Sequence, residues 1–132
     1  MFYLDIEKQP KDGVCLMSKS EKQFENQVKQ YLNDHGCWVL KTWSNGIQRE
    51  GVPDLLICCN GFFIGVELKN ETGRPSALQL WNIEKINNAG GYAFTLYPDQ
   101  FEEFKKFIFG LIHGMNYKHA NEYVQRFNRK DG

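Results

Sequence analysis

The chain has 132 residues, 42 % apolar and 14 % aromatic, with 16 basic against 16 acidic residues and a formal net charge of zero. That balance argues against a disordered polymer and for one folded domain with a real core. It also counts against bulk electrostatic capture of nucleic acid, although carboxylates buried in a site can mask a basic surface in the total. No apolar stretch approaches the roughly 20 residues needed to cross a bilayer, so no membrane partner is expected. The opening residues carry Asp5, Glu7 and Lys8, which predicts no leader. Cys15, Cys37, Cys58 and Cys59 contain no C-x-x-C pair, and the adjacent two would point to opposite faces of a strand. Free thiols in a reducing cytoplasm are therefore expected, and a structural zinc site is not.

Residues 1–17 read as an N-terminal arm. Ser18 or Ser20 can cap a first helix, and Ser20-x-x-Gln23 fits a capping box. Phe24, Val28, Tyr31 and Leu32 recur at helical spacing, and Gly36 supplies the stop. Cys37 to Trp43 reads as a strand, and Ser44 to Pro53 as a loop. Two apolar runs then flank Asn60-Gly61, a strong signal for a two-residue hairpin. A polar loop, Asn70 to Arg74, precedes a helix that Pro75 and Ser76 open. Leu80, Ile83, Ile86 and Trp81 supply its apolar side, and Gly90-Gly91 ends it. Tyr92 to Tyr97 is a last strand, stopped by Pro98. A third helix carries Phe101, Phe104, Phe107 and Ile108 as a stripe, and a fourth spans about Tyr117 to Phe127. The order predicts an α/β domain: a mixed sheet flanked by helices.

The hairpin register carries the chemistry. With Asn60 and Gly61 at the turn, Cys59 faces Phe62, and counting back sets Leu55 against Val66 and Asp54 against Glu67. Opposed side chains on one sheet face lie about 4.5–5.5 Å apart at Cβ. Lys69 is two residues beyond Glu67 and shares its face. Leu55, Ile57, Cys59, Phe62, Ile64, Val66 and Leu68 form a wholly apolar face. The other face is polar only at the end where the acids cluster. Like charges directly opposed are unfavourable, and buried carboxylates are rare unless paired or metal-bound. A divalent cation between Asp54 and Glu67 would resolve both problems. Magnesium takes one or two carboxylates together with water and phosphate oxygens, and a nearby lysine can hold a phosphate. The trio points to metal-assisted phosphoester chemistry. The bland alternatives are a turn-forming Pro53-Asp54 pair and a structural Glu67–Lys69 ion pair. Arg49 and Arg74, on the flanking loops, are candidate phosphate contacts or ordinary surface charge.

Pro53-Asp54, a gap of twelve residues and Glu67-Leu68-Lys69 resembles the PD-(D/E)XK nuclease signature, and in particular its VRR-NUC (virus-type replication-repair nuclease) branch. The likeness includes Gly51-x-Pro53-Asp54 and Ser76-x-x-Gln79, and covers roughly residues 20 to 96. It implies a restriction-endonuclease-like α-β-β-β-α-β core over 18–97, with 98–132 as a C-terminal helical extension of the same domain. It implies that Asp54, Glu67 and the backbone carbonyl of Leu68 bind Mg²⁺ or Mn²⁺, and that Lys69 positions the attacking water. The family's first-helix glutamate would be Glu25, with Glu21 as the alternative. Gln79 would be the family's second-helix glutamine, or simply the capping partner of Ser76.

The activity so implied is metal-dependent hydrolysis of DNA leaving a 5′-phosphate, by a homodimer that resolves Holliday junctions in the cytoplasm of a bacterial cell or phage-infected host. A nicking, flap-cutting or restriction-type nuclease is one alternative, and a non-catalytic DNA-binding module on the same fold is another. The aromatic tail (Phe101, Phe104, Phe107, Phe109, Leu111, Ile112) would either supply a dimer surface or seal the core.

Overall fold

The computed structural model describes residues 19–43 and 50–129. The expected N-terminal arm, Ser18, Cys15, Arg49 and most of the loop before Pro53 lie outside the described residues. Helix α1 (Lys19–Asp34) leads into strand β1 (Trp38–Lys41). Strands β2 (Leu55–Cys59) and β3 (Phe62–Leu68) follow, then helix α2 (Ala77–Asn88) and strand β4 (Tyr92–Leu96). A 3-10 turn at Pro98–Gln100 opens helix α3 (Phe101–Ile112), and helix α4 (Tyr117–Arg129) ends the described chain.

The sheet order is β1-β2-β3-β4, with β1, β2 and β3 antiparallel and β3 parallel to β4. This mixed sheet flanked by helices is the expected α/β architecture. Its pivot is the turn between β2 and β3. Asn60 and Gly61 both have positive φ, +50° and +85°. Such a turn matches the twist of the strands it joins and sets their register. Cys59 pairs with Phe62, Ile57 with Ile64 and Leu55 with Val66, as the turn predicts.

Alternation along the strands then separates two faces. Val39, Leu55, Ile57, Cys59, Ile64, Val66 and Leu68 are buried on one, with Phe24, Val28 and Leu32 of α1 and with α3 and α4 in the same core. The C-terminal aromatics belong to this core. Phe94 of β4 stacks on Phe127 of α4 at 4.5 Å and meets Phe104 and Phe107 of α3 edge-on. Of the expected tail stripe, Phe104, Phe107 and Leu111 are fully buried, while Phe109 is 54 % exposed. The tail therefore seals the core.

Helix α2 lies over β3 and β4 on the other face. Gly65 of β3 makes this approach possible: a Cβ there would sit 3.1 Å from Pro53 and 3.3 Å from Ile86 of α2. Three local expectations need correction. Lys19 opens α1, so Ser20 lies inside its first turn and cannot be the N-cap of a Ser20–Gln23 box. The first strand is shorter than Cys37 to Trp43: it spans Trp38–Lys41, and Thr42 next to it donates its hydroxyl to the Pro53 carbonyl. Leu80 and Trp81 are exposed, Trp81 by 47 %, and neither is core. Gln79, Asn82, Ile83 and Ile86 form the side of α2 that turns inward. At about 100° per residue, Leu80 falls beside that stripe and Trp81 opposite it.

Because Gly65 has two close neighbours, Gly65→Val should destabilise the protein by about 1–3 kcal/mol. Urea unfolding measures this, and wild-type stability in the variant would show that α2 and Pro53 can retreat freely.

Candidate active site

Three elements converge where β2 and β3 diverge from their hairpin. Asp54 directly precedes β2, one position beyond the Leu55–Val66 pair, and so stands opposite Glu67. Its Oδ2 accepts the Leu68 backbone N–H at 2.9 Å, which fixes the carboxylate across the strand pair. The Thr42 N–H donates to the Asp54 carbonyl at 2.9 Å, so the end of β1 holds the same residue from the other side. Glu67 is almost fully buried in an otherwise apolar strand. Its Oε2 receives Gln79 Nε2 at 2.7 Å and lies 3.5 Å from Lys69 Nζ. Its Oε1 is buried with no hydrogen-bond partner.

Gln79 makes both of the contacts considered for it. Its Oε1 accepts the Ser76 N–H at 2.7 Å and its own N–H donates to Ser76 Oγ at 3.1 Å, a complete capping box. The Nε2 end of the same amide is the one on Glu67. The helix start and the acid are thus joined through one side chain.

Electrostatics follow from burial. Desolvation pushes the Glu67 carboxyl up to about 8, and the neighbouring Asp54 charge adds to the rise, against an opposing pull from Lys69. Burial likewise raises Asp54, with Lys41, the Leu68 N–H and Lys69 pulling the other way. At neutral pH the pair therefore favours a shared proton, or a cation in its place.

Glu25 of α1 is also wholly buried, but in different company. Lys41 Nζ is 2.8 Å from its Oε1 and Lys29 Nζ 3.0 Å from its Oε2, with Lys22 at 3.5 Å. Burial alone would raise this carboxyl, and the two buried lysines overcome that and hold it below its usual value. Glu21 is half-buried in the first turn of α1. Arg74 is exposed, donates to the Gly73 carbonyl and lies 6.0 Å over the Tyr97 ring. The expected phosphate contact at Arg49 lies outside the described residues.

Two lysines of this constellation escape a reading by motif. Lys29 is four residues after Glu25, and Lys41 alternates with Val39 on the inward face of β1. A lysine at an inward strand position was the available signal.

The fit to a divalent cation rests on the donor set. Asp54 and Glu67 face each other, and the orphaned Glu67 Oε1 is a buried acceptor lacking a partner. Those features suit a hard cation. Among the described residues no three His, Cys, Asp or Glu side chains converge. Glu25, the first-helix glutamate that the family resemblance implies, has an ammonium group on each of its two oxygens.

This hairpin, its acid pair and its lysine have the layout of the PD-(D/E)XK nuclease class. Residues 17–97 match the family model described as archaeal Holliday junction resolvase, and the chain belongs to that family. Among solved structures it is similar to one described as a VRR_NUC domain, at 26 % identity and a TM-score of 0.55. The match covers 75 % of this chain and 100 % of that one. Curated proteins yield no match. No helix among the described residues is long and apolar enough to cross a membrane.

The raised Glu67 carboxyl has a thermodynamic consequence. Its folded-state value exceeds its unfolded one, so it stabilises the metal-free protein fully below 4.5 and loses that contribution as pH rises through about 8. Thermal melts across this range should show falling stability in wild type and a flatter profile in Glu67→Gln. Parallel profiles would mean that Glu67 titrates normally.

Proposed function

We propose that this protein is a metal-dependent endonuclease that hydrolyses phosphodiesters in branched DNA, most specifically four-way junctions. The observation that carries the reading is the meeting of Asp54 and Glu67 across the hairpin, with one buried Glu67 oxygen still lacking a donor. A magnesium or manganese ion at the two acids and the Leu68 carbonyl would supply Lewis-acid stabilisation of phosphate charge and a water of lowered pKa.

The chain's own residues do the rest. The Leu68 N–H orients Asp54 through Oδ2. Gln79 holds Glu67 by Oε2 and so directs the other oxygen away from helix α2. Lys69, 3.5 Å from Glu67, is positioned to hold a phosphate oxygen or orient the attacking water. Hydrolysis would leave a 5′-phosphate.

The junction preference is supported by the family, whose description names Holliday junction resolvases. A homodimer with two symmetric sites would suit paired cuts on opposing strands. Trp38, Cys58 and Phe63 line up across β1, β2 and β3 on the α2 face and are exposed, which makes that face a candidate for the subunit contact.

Cleavage of a synthetic four-way junction, set beside flap, nicked and linear duplex DNA, tests the reading, with molecular mass measured in parallel. Asp54→Ala and Lys69→Ala should each lower the Mg²⁺-dependent rate by about 100-fold or more, with an unchanged circular dichroism spectrum. Wild-type cleavage by either variant would refute the site. Equal cleavage of linear duplex would leave a nuclease without junction preference.

A further inference from the structure

Of the buried side-chain atoms that lack a hydrogen-bond partner among the described residues, two belong to residues on adjacent strands: Glu67 Oε1 and Thr95 Oγ1. Strand β4 runs parallel to β3, and its register sets Thr95 directly against Glu67. Paired strands lie about 4.8 Å apart, and paired residues send their side chains to the same face. That face is the one that carries the site. Val66, Leu68, Phe94 and Leu96, which flank the pair along both strands, all belong to the hydrophobic core. Glu67 and Thr95 therefore point the other way, toward α2.

Thr95 has no exposed surface. A threonine in a strand has an ordinary explanation, since β-branched residues suit a pleated backbone. Valine has the same shape, however, and at a sealed position it leaves no hydroxyl without a partner. The polar groups to either side of Thr95 are engaged. Asn87 of α2 donates to the Ala93 carbonyl at 2.9 Å and accepts the Ala93 N–H at 2.8 Å. The Tyr97 hydroxyl donates to the Gly73 carbonyl at 3.1 Å. Between them, the Thr95 hydroxyl is left over.

We propose that Thr95 is a positioning residue of the metal site, whose hydroxyl serves the Glu67 oxygen that Gln79 and Lys69 do not hold. The inference rests on the metal-dependent reading above. Glu67 stands on the middle of three strands, with Asp54 opposite it on the β2 side and Thr95 opposite it on the β4 side. A cation shared with Asp54 would meet Oε1 from one side, and the hydroxyl supports that oxygen from the other. A carboxylate oxygen has two lone pairs and accommodates both. Rotation of the Thr95 side chain to another staggered position, or one shared water, brings the hydroxyl to Oε1. Gln79 on Oε2 and Thr95 on Oε1 then hold the carboxylate at both oxygens. A carboxylate held in this way loses less freedom when it takes up an ion.

Mn²⁺ titration calorimetry on the full chain tests the assignment, with thermal melting in the absence of metal as the control for folding. Thr95→Val removes the hydroxyl and keeps the shape. Thr95→Ser keeps the hydroxyl and removes a methyl group. Thr95→Val should bind Mn²⁺ about tenfold or more weakly than wild type, the usual scale for losing a hydrogen bond to a metal ligand. Thr95→Ser should stay within about threefold of wild type. In single-turnover cleavage of a four-way junction, Thr95→Val should need correspondingly more Mn²⁺ to reach its half-maximal rate.

A smaller loss than about tenfold in Thr95→Val would overturn the proposal and leave Thr95 as strand filling. A Thr95→Ser variant weakened as much as Thr95→Val would overturn it too, since the two share no loss of hydroxyl. If Thr95→Val does not melt cooperatively, Thr95→Ala is compared with Thr95→Ser, a pair that differs by the hydroxyl alone, and is read by the same criteria. A wild type that binds no Mn²⁺ removes the metal-dependent reading and this inference together. A wild type that cuts DNA with Mn²⁺, beside a Thr95→Val of unchanged affinity, removes this inference alone.

Discussion

The register of one hairpin governs both the core and the chemistry. Asn60 and Gly61 adopt left-handed backbone, and every pair from Cys59–Phe62 to Leu55–Val66 follows from that. A slip of one residue would turn the apolar row into the opposite face and carry Glu67 into the core. The turn is held from outside as well. The Asn60 side chain donates to the Leu111 carbonyl of α3 at 2.9 Å, so α3 braces the bend from which the acid pair takes its position.

That position is costly in isolation, which is why so many partners surround it. Glu67 sits in an apolar strand, Asp54 stands opposite, and Glu25 is sealed under α1. Lys29, Lys41 and Lys69 approach these acids unevenly. Lys29 and Lys41 converge on Glu25, Lys69 approaches Glu67, and Asp54 relies on a backbone N–H and on charge at a distance. Both oxygens of Glu25 are thus occupied, while one oxygen of Glu67 is not.

Helix α2 shows how fold and site are joined. Its first turn is closed by a capping box, an ordinary way of satisfying free N–H groups. Here the capping glutamine also reaches Glu67, so the helix start and the acid share a side chain. The structural and functional readings of Gln79 are therefore compatible. Gly65 allows this by letting the helix and Pro53 lie close on β3.

Much of this was written locally in the chain. The turn residues, the strand alternation and the spacing from Asp54 to Lys69 specify a hairpin with two acids and a lysine on one face, because side-chain direction in a strand repeats every second residue. The helix order and the family resemblance followed from equally local patterns, as did the aromatic stripe of α3. Other features depended on distant parts of the chain. Leu80 and Trp81 looked like core residues from composition, yet which side of α2 is covered depends on where the sheet lies. Glu25 could be named from the family resemblance, but the lysines that meet it come from α1 and from β1, sixteen residues on. Sequence determined which residues share a face, since that is backbone geometry. Tertiary packing decided which charges meet, because an ion pair between elements exists only once the sheet and helices have closed around it.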